Sequence, residues 1–130
     1  MPPVRVLLVD DNSEFLQAEA EMMREVFSVV GTLSNGKSVL PAVAELKPDV
    51  VVLDLSLGDM TGFEVVRRLK AAGAKTRVVF LTIHEGEEFV EAAMKLGVAG
   101  YVFKSQAVQD LAPAIQAASR GETYLSRGIV

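Results

Sequence analysis

Five side chains stand out for the chemistry they could do together: the carboxylates of Asp10, Asp11 and Asp54, the hydroxyl of Thr82 and the ammonium of Lys104. Three carboxylates brought to one place repel one another, so the set calls for a cation. Magnesium suits it, because this ion takes hard oxygen ligands in octahedral geometry, commonly one or two carboxylates plus a phosphate oxygen. A lysine and a threonine hydroxyl beside such a site can position and neutralise the oxygens of a phosphoryl group in transfer. In that chemistry Asp54 is the nucleophile and an aspartyl phosphate is the product.

The elements that would gather these residues are legible as short apolar runs. VRVLLV at 4–9, VVVL at 50–53, RVVFL at 77–81 and GYVF at 100–103 are each followed by a member of the set, and their continuous β-branched character predicts buried strands of a parallel sheet. SVVGTL at 28–33 predicts a further strand. Between the runs, helical apolar spacing recurs in Phe15/Ala18/Met22, Val39/Val43/Leu46, Phe63/Val66/Leu69, Phe89/Ala93/Leu96 and Leu111/Ile115/Ala118. Pro113 predicts a late start for the last helix, near Gln109 or Asp110, since proline past the first turn kinks a helix. Strand and helix alternate, which implies an open, doubly wound α/β sheet. Ligands in such sheets sit outside the carboxyl ends of the strands, where all five residues fall.

A chain of 130 residues suits one domain, read here as residues 1–120, with 121–130 as a tail departing from the packed unit. No apolar run approaches the roughly 18 residues that span a bilayer, and MPPVRV has no signal-peptide pattern, so a cytoplasmic protein without membrane contact is expected. The absence of Cys excludes disulfides and thiolate metal sites, and a single His argues against zinc. A net charge of −4 with scattered basic residues argues against direct binding of nucleic acid.

Taken in order, LLVDDN at 7–12, VVLDLSLGDMTG at 51–62, VVFLTIHEG at 78–86 and GVAGYVFKS at 97–105 resemble the receiver domain of two-component response regulators over nearly the whole chain. The resemblance implies a flavodoxin-like fold with strand order 2-1-3-4-5 and five flanking helices. It implies that Asp54 accepts phosphate from a sensor histidine kinase, that Asp11, Asp54 and the backbone carbonyl of Ser56 ligate magnesium, and that Asp10 orients metal-bound water. Thr82 and Lys104 would bind the phosphoryl oxygens, and Tyr101 would be the switch aromatic that turns inward as Thr82 moves. DLAPAIQAASRGETYLS at 110–126 is similar to the last helix and following linker of NarL/FixJ-type transcription regulators. DNA would then be reached only through an output domain outside this chain, and homodimerisation through the face of the fourth helix, fifth strand and fifth helix is a further expectation. Such a domain catalyses only its own phosphorylation and dephosphorylation.

Departures from the family pattern generate expectations of their own. Leu57 and Gly58 stand where many receivers have Met-Pro, which predicts a more mobile loop. Ser105 stands where many have a cis-proline, leaving the backbone after Lys104 open, since a cis bond there would cost about 2.5–4 kcal/mol. Ile83 is bulky and predicts restricted access for water and small phosphodonors. His84 is read equally as a neighbour of the phosphoryl site and as a solvated loop residue. Asp10 and Asp11 also fit helix capping, with Asn12 or Ser13 as alternatives. A phosphohydrolase of the haloacid-dehalogenase type needs a second acid two residues after the nucleophile, and Ser56 is there instead. The alternative kept open is a receiver-like interaction module that takes no phosphate.

Overall fold

Six strands and five helices alternate along the chain, and the computed structural model describes residues 3–128. The strands are β1 (Arg5–Val9), β2 (Ser28–Leu33), β3 (Val50–Leu53), β4 (Arg77–Thr82), β5 (Gly100–Phe103) and β6 (Tyr124–Leu125). The helices are α1 (Ser13–Arg24), α2 (Val39–Leu46), α3 (Gly62–Ala71), α4 (Glu87–Lys95) and α5 (Ala107–Ser119). All strand pairings are parallel, in the order β2-β1-β3-β4-β5-β6, which is the flavodoxin-like arrangement with one strand added at the edge. No helix among the described residues is long and apolar enough to cross a membrane.

Side chains alternate between the two faces of a strand, and here the alternation separates two cores. Val6, Leu8, Val50, Val52, Val79, Leu81 and Val102 pack with α1 and α5. Leu7, Val9, Val51, Leu53, Val78, Phe80, Tyr101 and Phe103 pack with α2, α3 and α4. Register also aligns the strand ends. Val9 lies opposite Leu53, so Asp10 and Asp54 emerge side by side, and Thr82 lies opposite Phe103, the residue before Lys104.

Three expectations change. The buried stripe of α1 is Leu16, Glu19, Ala20 and Met23, one position round from Phe15/Ala18/Met22. The helix crosses the sheet at an angle that periodicity alone does not define. α5 begins at Ala107, not near Gln109 or Asp110, because a 3-10 turn over Lys104–Gln106 feeds straight into it. Pro113 is thus tolerated inside the helix: its missing N–H deprives only the carbonyl of Gln109, an exposed residue with access to water.

The segment after residue 120 also joins the fold rather than leaving it. β6 pairs with β5, and Ser126, 2 % exposed, is held on both sides. Its Oγ accepts the Phe103 N–H at 3.1 Å and donates to Asp110 Oδ2 at 2.9 Å, while the Tyr124 hydroxyl donates to Asp110 Oδ1 at 2.9 Å. The signal lay in the chemistry of Tyr124 and Ser126, whose partner Asp110 is displaced in sequence by a helix. Positions 129 and 130 of the expected tail lie outside the described residues.

Glu19 is the discordant residue of the core. It is 3 % exposed, and neither carboxyl oxygen finds a hydrogen-bond partner. Burial, with Asp10 adding like charge, pushes its pKa well above the usual 4.5.

Two outcomes are expected from stability measurements. Ser126→Ala leaves the Phe103 N–H and one Asp110 oxygen unpaired, which costs about 1–3 kcal/mol in urea unfolding and speeds hydrogen exchange at the Phe103 amide; an unchanged midpoint would contradict the described latch. Glu19→Met raises stability at neutral pH by about 1–3 kcal/mol. Because the folded-state pKa lies above the unfolded one, the penalty of Glu19 fades as pH falls through the folded value towards 4.5. The advantage of Glu19→Met must shrink in the same window, and a pH-independent difference would show that Glu19 is not the cause.

Candidate functional site

Asp10 is the first residue beyond β1. Its N–H continues the ladder to the Leu33 carbonyl at 3.0 Å, and its Oδ1 accepts the Asn12 N–H at 2.9 Å. Asn12, not Asp10 or Asp11, caps α1, its side chain accepting from the Phe15 N–H at 3.0 Å. Asp54 follows β3 in the same manner, with its N–H on the Val9 carbonyl at 3.2 Å. Gly62 opens α3 immediately behind it, and any Cβ there would strike the Asp54 carbonyl, so the helix can approach only with glycine at this position. One oxygen from each of Asp10, Asp11 and Asp54 lies within 4.8 Å of the others, a grouping able to hold a metal ion. Asp10 and Asp54 are buried, whereas Asp11 faces solvent.

Lys104 is the counterweight. Its ammonium lies 2.7 Å from Asp10 Oδ2 and 2.9 Å from Asp54 Oδ2, with only 16 % of the side chain exposed. Burial opposes the lysine's charge, but the hydrogen bonds to both carboxylates outweigh it and hold its pKa above the usual value. Burial pushes Asp10 upward, and Lys104 offsets that only in part because it is shared and Asp54 adds like charge. One ammonium therefore serves two buried carboxylates.

Thr82 and Tyr101 belong to the other strand parity. Thr82 is fully buried, its Oγ1 accepting the His84 N–H at 3.2 Å. Tyr101 is also fully buried, with its ring edge-on to Phe80 and Phe103 and its hydroxyl donating to the His84 carbonyl at 2.6 Å. Burial raises the phenol's pKa, keeping it a donor. The backbone of His84 thus links Thr82 to Tyr101. Its imidazole lies 3.1 Å from Ser56 Oγ and stacks on Phe89 at 4.6 Å, so it bridges two loops and is not simply solvated.

The loop carrying Leu57 and Gly58 is pinned at several points. Leu57 is buried and its N–H reaches the Met60 carbonyl at 3.3 Å, Ser56 pairs with Thr61, and Asp59 accepts the N–H groups of Gly36 and Lys37 at 2.9 and 3.0 Å. Gly58 has φ +82°, a left-handed conformation that suits glycine. After Lys104 there is no cis bond among the described residues; Ser105 enters the 3-10 turn and its hydroxyl donates to Glu85 at 3.3 Å. Ile83 is 71 % exposed.

The model of the response regulator receiver domain matches residues 6–116. The chain belongs to this family. The receiver is 32 % identical to the nitrate/nitrite response regulator protein NarL of Escherichia coli (strain K12) over 129 residues, 98 % of this chain and 60 % of NarL. It therefore spans less than two thirds of that relative. A two-component response regulator of the LuxR family from Aurantimonas sp. SI85-9A1 superimposes with TM-score 0.92 at 29 % identity, covering 98 % of this chain and 92 % of that one. The isolated receiver of RcsB from Salmonella enterica serovar Typhimurium, solved with the phosphomimetic BeF3-, shares the fold at TM-score 0.89 and 22 % identity, over 98 % and 96 % of the two chains.

Sequence reasoning overlooked Phe15 as part of the site: it was assigned to the α1 core stripe, yet its ring faces Lys104. For the charge balance, Lys104→Met is expected to destabilise the metal-free receiver by about 3 kcal/mol, because two buried carboxylates lose their shared cation. With the Asp10 pKa raised in the fold, the loss must ease as pH falls and Asp10 protonates. Urea titrations of both proteins across pH check this, and equal stability would contradict it.

Proposed function

We propose that this receiver is a phosphorylation-dependent switch in which Asp54 accepts a phosphoryl group from a sensor histidine kinase in the cytoplasm. The observation that carries the reading is the placement of the Asp54 carboxylate: nearly buried, 2.9 Å from Lys104, and within a metal-sized cluster with Asp10 and Asp11. A small hard cation fits the donor set. Asp11 Oδ2 is open to solvent, and Gly58 presents no side chain where a Cβ would begin 3.8 Å away. Asp11 and Asp54, with the Ser56 carbonyl, would hold magnesium, and Asp10 would orient water bound to it. Such an ion would neutralise charge between the carboxylates and the incoming phosphoryl oxygens.

The receiver's own residues do the rest. An oxygen of Asp54 attacks phosphorus as the P–N bond of the donor phosphohistidine breaks, its electron pair returning to the imidazole. Lys104 transfers its interaction to a phosphoryl oxygen, and Thr82 exchanges the His84 N–H for a second one. The receiver acts on no other substrate; hydrolysis of its own aspartyl phosphate resets it.

Drawing Thr82 towards phosphate changes its link to the His84 backbone, to which the Tyr101 hydroxyl is tied. That contact is the route by which a charge gain of about −1.5 to −2 alters the face formed by α4, β5 and α5. The output is dimerisation or release of a DNA-binding domain, as the resemblance to NarL/FixJ-type transcription regulators implies for a longer protein. The phosphate acts only through its different affinity for the two states.

Incubation with magnesium and acetyl phosphate, or with a kinase, should add one phosphoryl group by intact mass to the native protein and none to Asp54→Asn. No gain from any donor would overturn the proposal in favour of a phosphate-independent interaction module.

A further inference from the structure

The Lys104 ammonium has three N–H donors, and the two carboxylates use two of them. On the remaining side lies the ring of Phe15, its centroid 4.4 Å from Nζ. That is within the roughly 6 Å over which an aromatic face attracts a cation, and the low exposure of Lys104 puts the contact towards the stronger, desolvated end.

Phe15 stands outside the buried stripe of α1, half-buried at its edge. Its place is nevertheless fixed. Asp10 Oδ1 holds the Asn12 N–H at 2.9 Å, Asn12 Oδ1 holds the Phe15 N–H at 3.0 Å, the Phe15 ring meets Lys104, and Lys104 returns to Asp10 Oδ2 at 2.7 Å. Four residues close a loop of contacts. An aliphatic side chain at position 15 could pack against the same neighbours, but only an aromatic one offers a negative face to an ammonium.

We infer that Phe15 is a positioning residue whose ring face keeps the Lys104 ammonium over Asp54. The inference rests on the reading of Asp54 as phosphoacceptor and adds a residue to it.

The test uses phenylalanine analogues at position 15 in the full chain. In the metal-free protein, the ε-methylene protons of Lys104 should show an upfield ring-current displacement that Phe15→Leu abolishes and Phe15→Trp keeps. With magnesium and a small phosphodonor, which needs no protein docking, the rate of phosphoryl gain should fall stepwise as ring fluorination removes the negative face. A loss of about threefold to tenfold is expected from phenylalanine to the pentafluoro analogue. Phe15→Tyr and Phe15→Trp should stay near the native rate, while Phe15→Leu and Phe15→Met should be slow.

A rate that is flat across the fluorinated series would reduce Phe15 to packing and overturn the inference while leaving the phosphoacceptor reading intact. Absence of the ring-current displacement would overturn it by removing the contact itself. A native protein that takes no phosphoryl group would overturn the phosphoacceptor reading, and the positioning role with it, even where the ring-current displacement is present.

Discussion

Two buried carboxylates sharing one ammonium is the constraint on which the rest of this molecule depends. Parallel pairing of β1 with β3 in the observed register brings Asp10 and Asp54 out side by side, and little water reaches either. Removing a carboxylate from water is costly, and two in proximity are costlier. Lys104, arriving from β5 on the same strand parity, offsets part of that cost, and the raised pKa of Asp10 records the part left over. The centre is therefore short of positive charge by construction. The cluster of Asp10, Asp11 and Asp54 could hold a metal ion that supplies the missing charge.

The alternation of side chains across the sheet divides the labour. Asp10, Asp54 and Lys104 continue the parity of residues that pack under α1 and α5, while Thr82 and Tyr101 continue the parity under α4. The charged groups thus sit on one side and the hydroxyls of Thr82 and Tyr101 on the other, the two hydroxyls joined through the His84 backbone. The α1 side also holds Glu19, whose unpaired carboxyl is buried and stands near enough to Asp10 to feel its charge. Stability is given up on this face, and packing on both faces of the sheet must absorb the loss.

β5 is the strand where these effects converge. It presents Tyr101 and leads directly to Lys104, and its free edge is occupied by β6 through the bonds of Ser126 and Asp110. The pairing ties the segment after α5 to the strand that ends in the charged centre.

Five of the six strands, their alternation with helices, and the five residues at the strand ends were legible in the chain alone, because β-branched runs and acid pairs are local signals. So was the family, through motifs whose order matches. Tertiary structure alone decided which face of α1 is buried, since the crossing angle of helix on sheet is not written in a 3.6-residue period, and so turned Phe15 from a core residue into a neighbour of Lys104. It decided that Tyr124 and Leu125 complete the sheet and that Ser126 fastens them, because their partners Phe103 and Asp110 lie far off in sequence. It decided that the loop at Gly58 is held, because Asp59 reaches a different βα loop. Each of these rests on contacts between distant segments, which become visible only when the chain is folded.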